Sequence, residues 1–401
     1  MRPAKWYVLF LLSVLIWVCV AQAAIKMRGY ALTDWYSFES LDSTRHQQIY
    51  ETFSLRLERP GVHSLGLVTH LRWRGDSADD FGNSSVFQAH NLYLRYSHAD
   101  RGDVRLGRQY LAEGVGFGAF DALRLTCSPK AQGSITLWGG VAAPQSREFE
   151  VQNLNEAPAF GAAVRGKVAG RVNVLGSFLY EEREGLKYRH RVGISTNAAL
   201  LTNLTSTALA HFNLSGPNVL HRVRLLMRYT GMPKTRLSLE WAMGTPQLLP
   251  DSPWDAVEIG TFQLVRGSGA YRVRGDYWMG LRAQSILTTE IPNTTLGLTL
   301  EGPWGLLGYR QRFGDFGDES GIFGSAQYRP LSYAQIYGGV DFSRYKFEEG
   351  IDREDQAQGQ VGLRLFPVKA LTIDASLQAL KNTQFDNDVR GLLRIKWSFS
   401  N

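Results

Sequence analysis

The residues most able to do chemistry in this chain are arginines set at every second position. On 221–229, Arg222, Arg224 and Arg228 alternate with Val223, Leu225, Met227 and Tyr229, and on 187–197, Lys187, Arg189 and Arg191 share a phase with Ser195 and Asn197. The same phase assigns Arg56, Arg72, Arg74, Arg95, Arg105, Arg124, Arg236, Arg272, Arg274, Arg310, Arg312, Arg364, Arg394 and Lys396 to one common face. The acids expected on that face are fewer: Glu58, Glu181, Glu240, Asp276, Asp341 and Asp374. Guanidinium groups bind carboxylates and phosphates through a planar fork of donors. A face holding about twenty bases and about six acids by this alternation therefore attracts anions, even where some arginines pair with their neighbours.

Such a face needs elements that separate two kinds of side chain, and the pattern names them. From Ala24 to the end, segments of about ten residues alternate apolar and polar between short clusters of Gly, Pro, Asp and Asn. In 357–365, Ala357, Val361, Leu363 and Leu365 oppose Gln358, Gln360 and Arg364; in 371–379, Leu371, Ile373, Ala375, Leu377 and Ala379 oppose Thr372, Asp374, Ser376 and Gln378. In 391–399, Leu393, Ile395, Trp397 and Phe399 oppose Arg394, Lys396 and Ser398. A strand sends successive side chains to opposite faces, so each face can meet its own solvent. A soluble sandwich also alternates, but a sheet running almost the whole of 401 residues would have to curl or split. The expected fold is all-β: a transmembrane antiparallel up-and-down barrel of about 20 strands, within 18–22, and without a plug domain. An Arg on the lipid face costs about 2–4 kcal/mol at mid-membrane, so the basic face is expected inside.

Aromatics near strand ends are expected to form interfacial girdles: Trp35-Tyr36, Trp73, Trp138, Tyr180, Trp241, Tyr277-Trp278, Trp304 and Trp397-Phe399. Arg59-Pro60-Gly61, Ala169-Gly170 and Pro367-Val368-Lys369 are expected as tight turns, and 75–85, 143–158, 246–267 and 346–355 as long polar loops. That alternation places both termini in the periplasm. The loop 246–267, carrying Pro246, Pro250, Pro253 and Trp254, either folds inward as a constriction or stays at the surface.

Composition narrows the function. Residues 1–23 read as a cleavable signal peptide, with Arg2 and Lys5 before the apolar run Trp6 to Val20 and small residues at Ala21-Gln22-Ala23; 24–401 is then one barrel domain. The formal net charge is +7, and nucleic acid is an improbable partner for an exported chain. Only Cys127 lies beyond the leader, in phase with Leu123 and Leu125, so no intrachain disulfide is expected. The histidines His46, His63, His70, His90, His98, His190, His211 and His221 lack zinc-ligand spacing. No G-x-S-x-G occurs, and Gly114-Val115-Gly116-Phe117-Gly118 reads as a turn rather than a phosphate cradle. No catalytic, metal or cofactor residue is singled out, and an enzyme is not expected.

The segment Asp103-Val104-Arg105-Leu106-Gly107-Arg108-Gln109, with Gly114 to Phe120 and Asp121-Ala122-Leu123-Arg124-Leu125, resembles Gram-negative porins of the alginate-export type. The resemblance covers about 25 residues and implies an arginine-lined lumen. The stretch from Arg329 to Asn401 is similar in texture to barrels that sheathe a multihaem cytochrome. The expected role is an outer-membrane channel passing small anions or anionic oligomers passively through a wide basic lumen, with membrane lipid and those solutes as partners. The alternative is a sleeve around a multihaem cytochrome for electron transfer across the membrane.

Overall fold

The computed structural model describes residues 25–40, 44–78, 85–99, 101–128, 133–183, 186–215, 220–245, 261–288, 292–314, 317–346, 353–382, 385 and 387–401, without the side chains of 186–188. The expected leader, 1–23, lies outside them. The described strands are β1 (Lys26–Glu39), β2 (Arg45–Arg59), β3 (His63–Asp76), β4 (Val86–His98), β5 (Gly102–Glu113), β6 (Gly116–Cys127), β7 (Gly133–Ala142) and β8 (Pro158–Val168). The chain continues through β9 (Val172–Arg183), β10 (Leu186–Leu201), β11 (Leu204–Asn213), β12 (Leu220–Tyr229), β13 (Thr235–Gly244), β14 (Phe262–Arg274) and β15 (Tyr277–Leu287). It ends with β16 (Asn293–Gly302), β17 (Gly305–Gly314), β18 (Glu319–Leu331), β19 (Ala334–Tyr345), β20 (Glu354–Val368), β21 (Leu371–Lys381) and β22 (Asp388–Ser400).

Each strand pairs antiparallel with the next, and β22 returns to β1, with Asp34 opposite Arg394 and Ala31 opposite Trp397. The result is a closed barrel of 22 strands, the upper end of the expected range. Closure leaves no open edge, so every strand satisfies its backbone donors within the sheet, as hydrocarbon requires.

The reason for the alternation is plain once the faces are read. Leu94, Leu106, Leu123, Leu137, Val164, Leu239, Leu281, Leu298, Leu307, Ile322, Val340, Val361 and Leu377 are all exposed and share the outer face. On a soluble protein this apolar belt would be a severe liability; on a barrel it meets lipid. Strands of 10 to 16 residues are long enough to cross at a tilt.

Connections follow the expected alternation in most places, although the β5–β6 link at the longer end is only the two residues 114–115. The end that holds both chain termini has two-residue links at 202–203, 275–276, 303–304, 332–333 and 369–370. The opposite end holds the connection between β7 and β8, residues 143–157, and that between β13 and β14.

Four expectations need correction. Pro367 and Val368 belong to β20, so the turn there is only 369–370. Phe262 to Gly267 belong to β14, because Phe262 pairs with Gly244 and the ladder continues inward; 246–260 lies outside the described residues. Likewise β20 begins at Glu354, within the expected loop 346–355. Finally, Tyr36, Trp138 and Trp278 are not girdle residues: Tyr36 shares the inward phase of Asp34 and accepts from Arg390. Trp138 is buried on the inner face, opposite Gly161, and Trp278 shares a face with Arg236 and Arg272.

A basic inner face and an inward hairpin

The inner face begins with arginines in register with carboxylates on the next strand. Arg394 meets Asp34 at 2.6 Å and Arg364 meets Asp374 at 2.6 Å, each directly opposite its partner. Arg224 and Arg266 approach the two oxygens of Glu240 at 2.7 and 3.2 Å. Arg310 bridges Glu319 at 2.7 Å and Asp341 at 2.9 Å, and Arg312 meets Glu319 at 2.9 Å. Arg56 pairs with Glu58 at 3.2 Å and Arg272 approaches Asp276 at 3.9 Å. Asp103 gathers Arg95, Arg105 and Arg124, the last also bound to Glu113 at 2.8 Å. Glu181, with none of its surface exposed, accepts from Arg183 at 2.9 Å and from Arg189 Nε at 2.6 Å.

Other predicted bases are held by different groups. Arg72 lies over the Tyr50 ring at 4.2 Å, and Lys396 over Tyr30 at 4.7 Å. Arg236 and Arg272 both stack on Trp278, at 4.0 and 5.1 Å. Arg191 donates to Asn213 at 3.0 Å. Arg74, Arg222, Arg228 and Arg274 have no carboxylate partner among the described residues. The Lys187 side chain lies outside them.

The expected six acids understate the inner carboxylates. Asp34, Asp103, Glu113 and Glu319 also take arginines, and Asp388, nearly fully buried, pairs with Arg390. Asp103, Glu113, Glu319 and Asp388 stand at or next to strand ends, where alternation read from strand centres does not reach. Asp34 is different: it shares the phase of Tyr30 and Tyr36, and its inward face was readable from that phase. Arg266, which shares Glu240 with Arg224, was missed on the base side.

One element leaves the wall. At the tip of the β5–β6 hairpin, the Val115 N–H donates to Ser177 Oγ on β9 at 3.0 Å. Arg189 on β10 donates to the Phe117 carbonyl at 2.7 Å, and a Cβ on Gly193 of β10 would stand 2.5 Å from Val115 Cγ1. Ser177, Arg189 and Gly193 alternate with the outward Phe178 and Ile194, so all three point inward. The hairpin therefore crosses the inner faces of β7 and β8 to reach β9 and β10. Between hairpin and wall lies an apolar cluster of Leu111, Val115, Phe120, Ala122, Trp138, Ala142, Ala157, Ala159 and Leu179. Phe120 and Trp138 stack with ring centres 4.5 Å apart, and Phe120 and Leu179 are wholly buried. Apolar burial of this kind supplies about 1.5–3 kcal/mol per large side chain, enough to hold a hairpin off the wall.

The β7–β8 loop follows the hairpin. The Ala143 N–H bonds the Ala119 carbonyl at 2.9 Å, the Ala89 N–H bonds the Arg147 carbonyl at 2.9 Å, and Glu148 bridges Gln88 on β4. Arg108, 4% exposed, makes a two-pronged bond to Asp121 at 2.9 and 2.7 Å and also donates to the Glu148 and Glu150 carbonyls. One buried guanidinium thus ties hairpin to loop. The turn expected over 114–118 is confined to Gly114 and Val115, since β6 begins at Gly116, and its tip is docked. Of the span 246–267, expected either as an inward constriction or as a surface loop, 246–260 lies outside the described residues and Phe262 to Gly267 belong to β14.

No protein-family model matches the chain, and no curated protein matches it, so the likeness of 103–125 to alginate-export porins stays a resemblance of sequence. Among solved structures the chain is similar to Pseudomonas aeruginosa OpdQ, with 10% identity and a TM-score of 0.49 over 94% of this chain and 100% of that one. It is similar to Acinetobacter baumannii OccAB4, with 9% identity and a TM-score of 0.48 over 95% and 99%. The P pilus usher (PapC) translocation pore gives 8% identity and a TM-score of 0.47 over 93% and 99%. At these scores the likenesses bear on neither family nor activity.

Proposed function

We propose that this chain is an outer-membrane channel, exported behind residues 1–23, that passes small anions or anionic oligomers passively through a basic lumen. The observation that carries the reading is the pairing of faces: an exposed apolar belt outside, and rows of arginine inside around a space crossed by the β5–β6 hairpin. A closed barrel of 22 strands is too wide for its own side chains to fill, so water enters wherever hairpin and loops do not. Arg-rich walls raise the local concentration of anions and exclude cations.

Charge pairing tempers the field without cancelling it. Arg74, Arg222, Arg228, Arg236 and Lys396 stand on the inner face without a carboxylate among the described residues, and form its net basic surface. Short links at the end with both termini support a periplasmic position for them, with the long connections outside. The inward hairpin occupies space that a sleeve around a cytochrome would need, which favours the channel.

The test is conductance of the purified chain alone in a planar bilayer under a salt gradient. Steady openings with an anion-selective reversal potential are expected. A cation-selective potential, or a folded barrel that never opens, would count against the reading.

A further inference from the structure

Where the β7–β8 loop is stapled to β4, nitrogen donors converge without an acceptor. Arg147, on the loop, donates from Nη1 to His90 Nδ1 at 2.6 Å. A guanidinium can only donate, so Nδ1 must accept and the His90 proton sits on Nε2. That Nε2–H is buried and has no hydrogen-bond partner. Arg72 supplies a second orphan, because its Nε is also buried without a partner while its guanidinium stacks on Tyr50. Register places Arg72 opposite Gln88, two residues from His90, and His90 packs edge-on against His70 at 5.1 Å. Gln88 is itself committed to the Ser146 carbonyl at 2.7 Å.

No described carboxylate pairs with Arg72 or Arg147. A buried N–H left unpaired has lost its water without gaining a partner, and the loss is greater beside a charge. A barrel rich in acids could have supplied one here, as it does at Asp103 and Glu240. Arg147 is moreover held at a φ of 57°, a backbone state disfavoured for a residue with a side chain, with its N–H on the Pro144 carbonyl and its own carbonyl on Ala89. The turn thus fixes this guanidinium against β4. Arg72, His90 and Arg147 each keep part of their surface open, while the two unpartnered nitrogens themselves lie covered beneath it.

We infer that Arg72, His90 and Arg147 form a binding site for a small oxyanion of the phosphate or carboxylate class, at the seam between β3, β4 and the β7–β8 loop. Two guanidiniums supply charge, and the Arg72 Nε–H and His90 Nε2–H supply directed donors to separate oxygens. The site does not require that the barrel conduct.

Inorganic phosphate titrated calorimetrically into the full chain, folded in detergent at fixed ionic strength, tests this. One saturable site is expected. Arg72→Gln and Arg147→Gln should each weaken it about tenfold or more, since each removes a charge-assisted hydrogen bond. Arg222→Gln, which removes an inner-face cation from β12, should change it less than twofold. Heat-modifiable migration on a gel reports folding of every variant, and Arg147, in a loop, leaves all strand residues intact. Absence of saturable phosphate binding overturns the site. So does an equal loss in all three variants, which would mean that phosphate answers only the general field of the lumen.

Discussion

At the scale of single residues, the inner face depends on side chains lying flat along the wall. Tyr337 on β19 crosses Gly362 on β20 to donate to Asp374 on β21 at 2.5 Å, and a Cβ at Gly362 would stand 2.2 Å from its ring. Gly362→Ala is therefore expected to expel the ring and cost about 1–3 kcal/mol, seen as a lower midpoint in urea unfolding from lipid vesicles. An unchanged midpoint would mean that the phenol bond contributes nothing. Charge bookkeeping gives a second test. Glu240 neutralises Arg224 and Arg266, so Glu240→Gln should free both and move the reversal potential toward greater anion selectivity. No movement would place that row away from the ion path. The phase of Arg224, unlike that of Arg266, was legible from its alternation with Val223 and Leu225, as was that of Arg105 and Arg310 on their own strands. Their partners at strand ends were not, since Asp103 or Glu319 is placed by turn geometry and register, which two-residue periodicity does not encode.

Among elements, the β5–β6 hairpin stands apart because its tip lies against the wall instead of within it. Its Gln109, Leu111 and Phe120 are buried, and the matching apolar patch on the wall is Trp138, Ala159 and Leu179. Gly114 makes the approach possible, with a φ of 63° and space for a Cβ already taken by Ser177 Oγ at 2.1 Å. Replacing Ala112–Phe117 by a two-residue turn should remove the part that reaches β9 and β10. Single-channel conductance should then rise, because the narrowest section limits flow. Conductance that stays at the parental level would show that the constriction lies elsewhere. The two-residue period of 103–127 does not mark this behaviour, for its strands alternate like the others. What distinguishes them is an inner face that turns apolar toward the hairpin tip, at Leu111, Phe120 and Ala122, beyond Arg105 and Arg124. Read that way, the sequence contained a hint.

For the whole molecule, the governing quantity is which solvent each face meets. Leu298 sits exposed in the middle of β16, between Gly297 and Thr299. Leu298→Arg is expected to destabilise the barrel by about 2–4 kcal/mol in lipid, and urea titration in vesicles measures it. A cost near zero would mean that this belt does not face hydrocarbon. The same logic sets the number of strands: each needs 10 to 16 residues to cross at a tilt, and the chain has room for 22.

The chain pattern by itself determined the class of fold, the two-faced wall and much of the alternation of short and long connections. These follow from local periodicity, because a strand's side-chain phase is set by its own backbone. Tertiary structure alone decided how the arginines divide between carboxylates, aromatic rings and open positions, since that depends on register between strands distant in sequence. It also decided that a hairpin leaves the wall and that Trp138 is buried beneath it. Its third decision was to bring Arg72, His90 and Arg147 together around unused donors. Each requires contact between segments tens of residues apart, which closure of the barrel creates and periodicity cannot express.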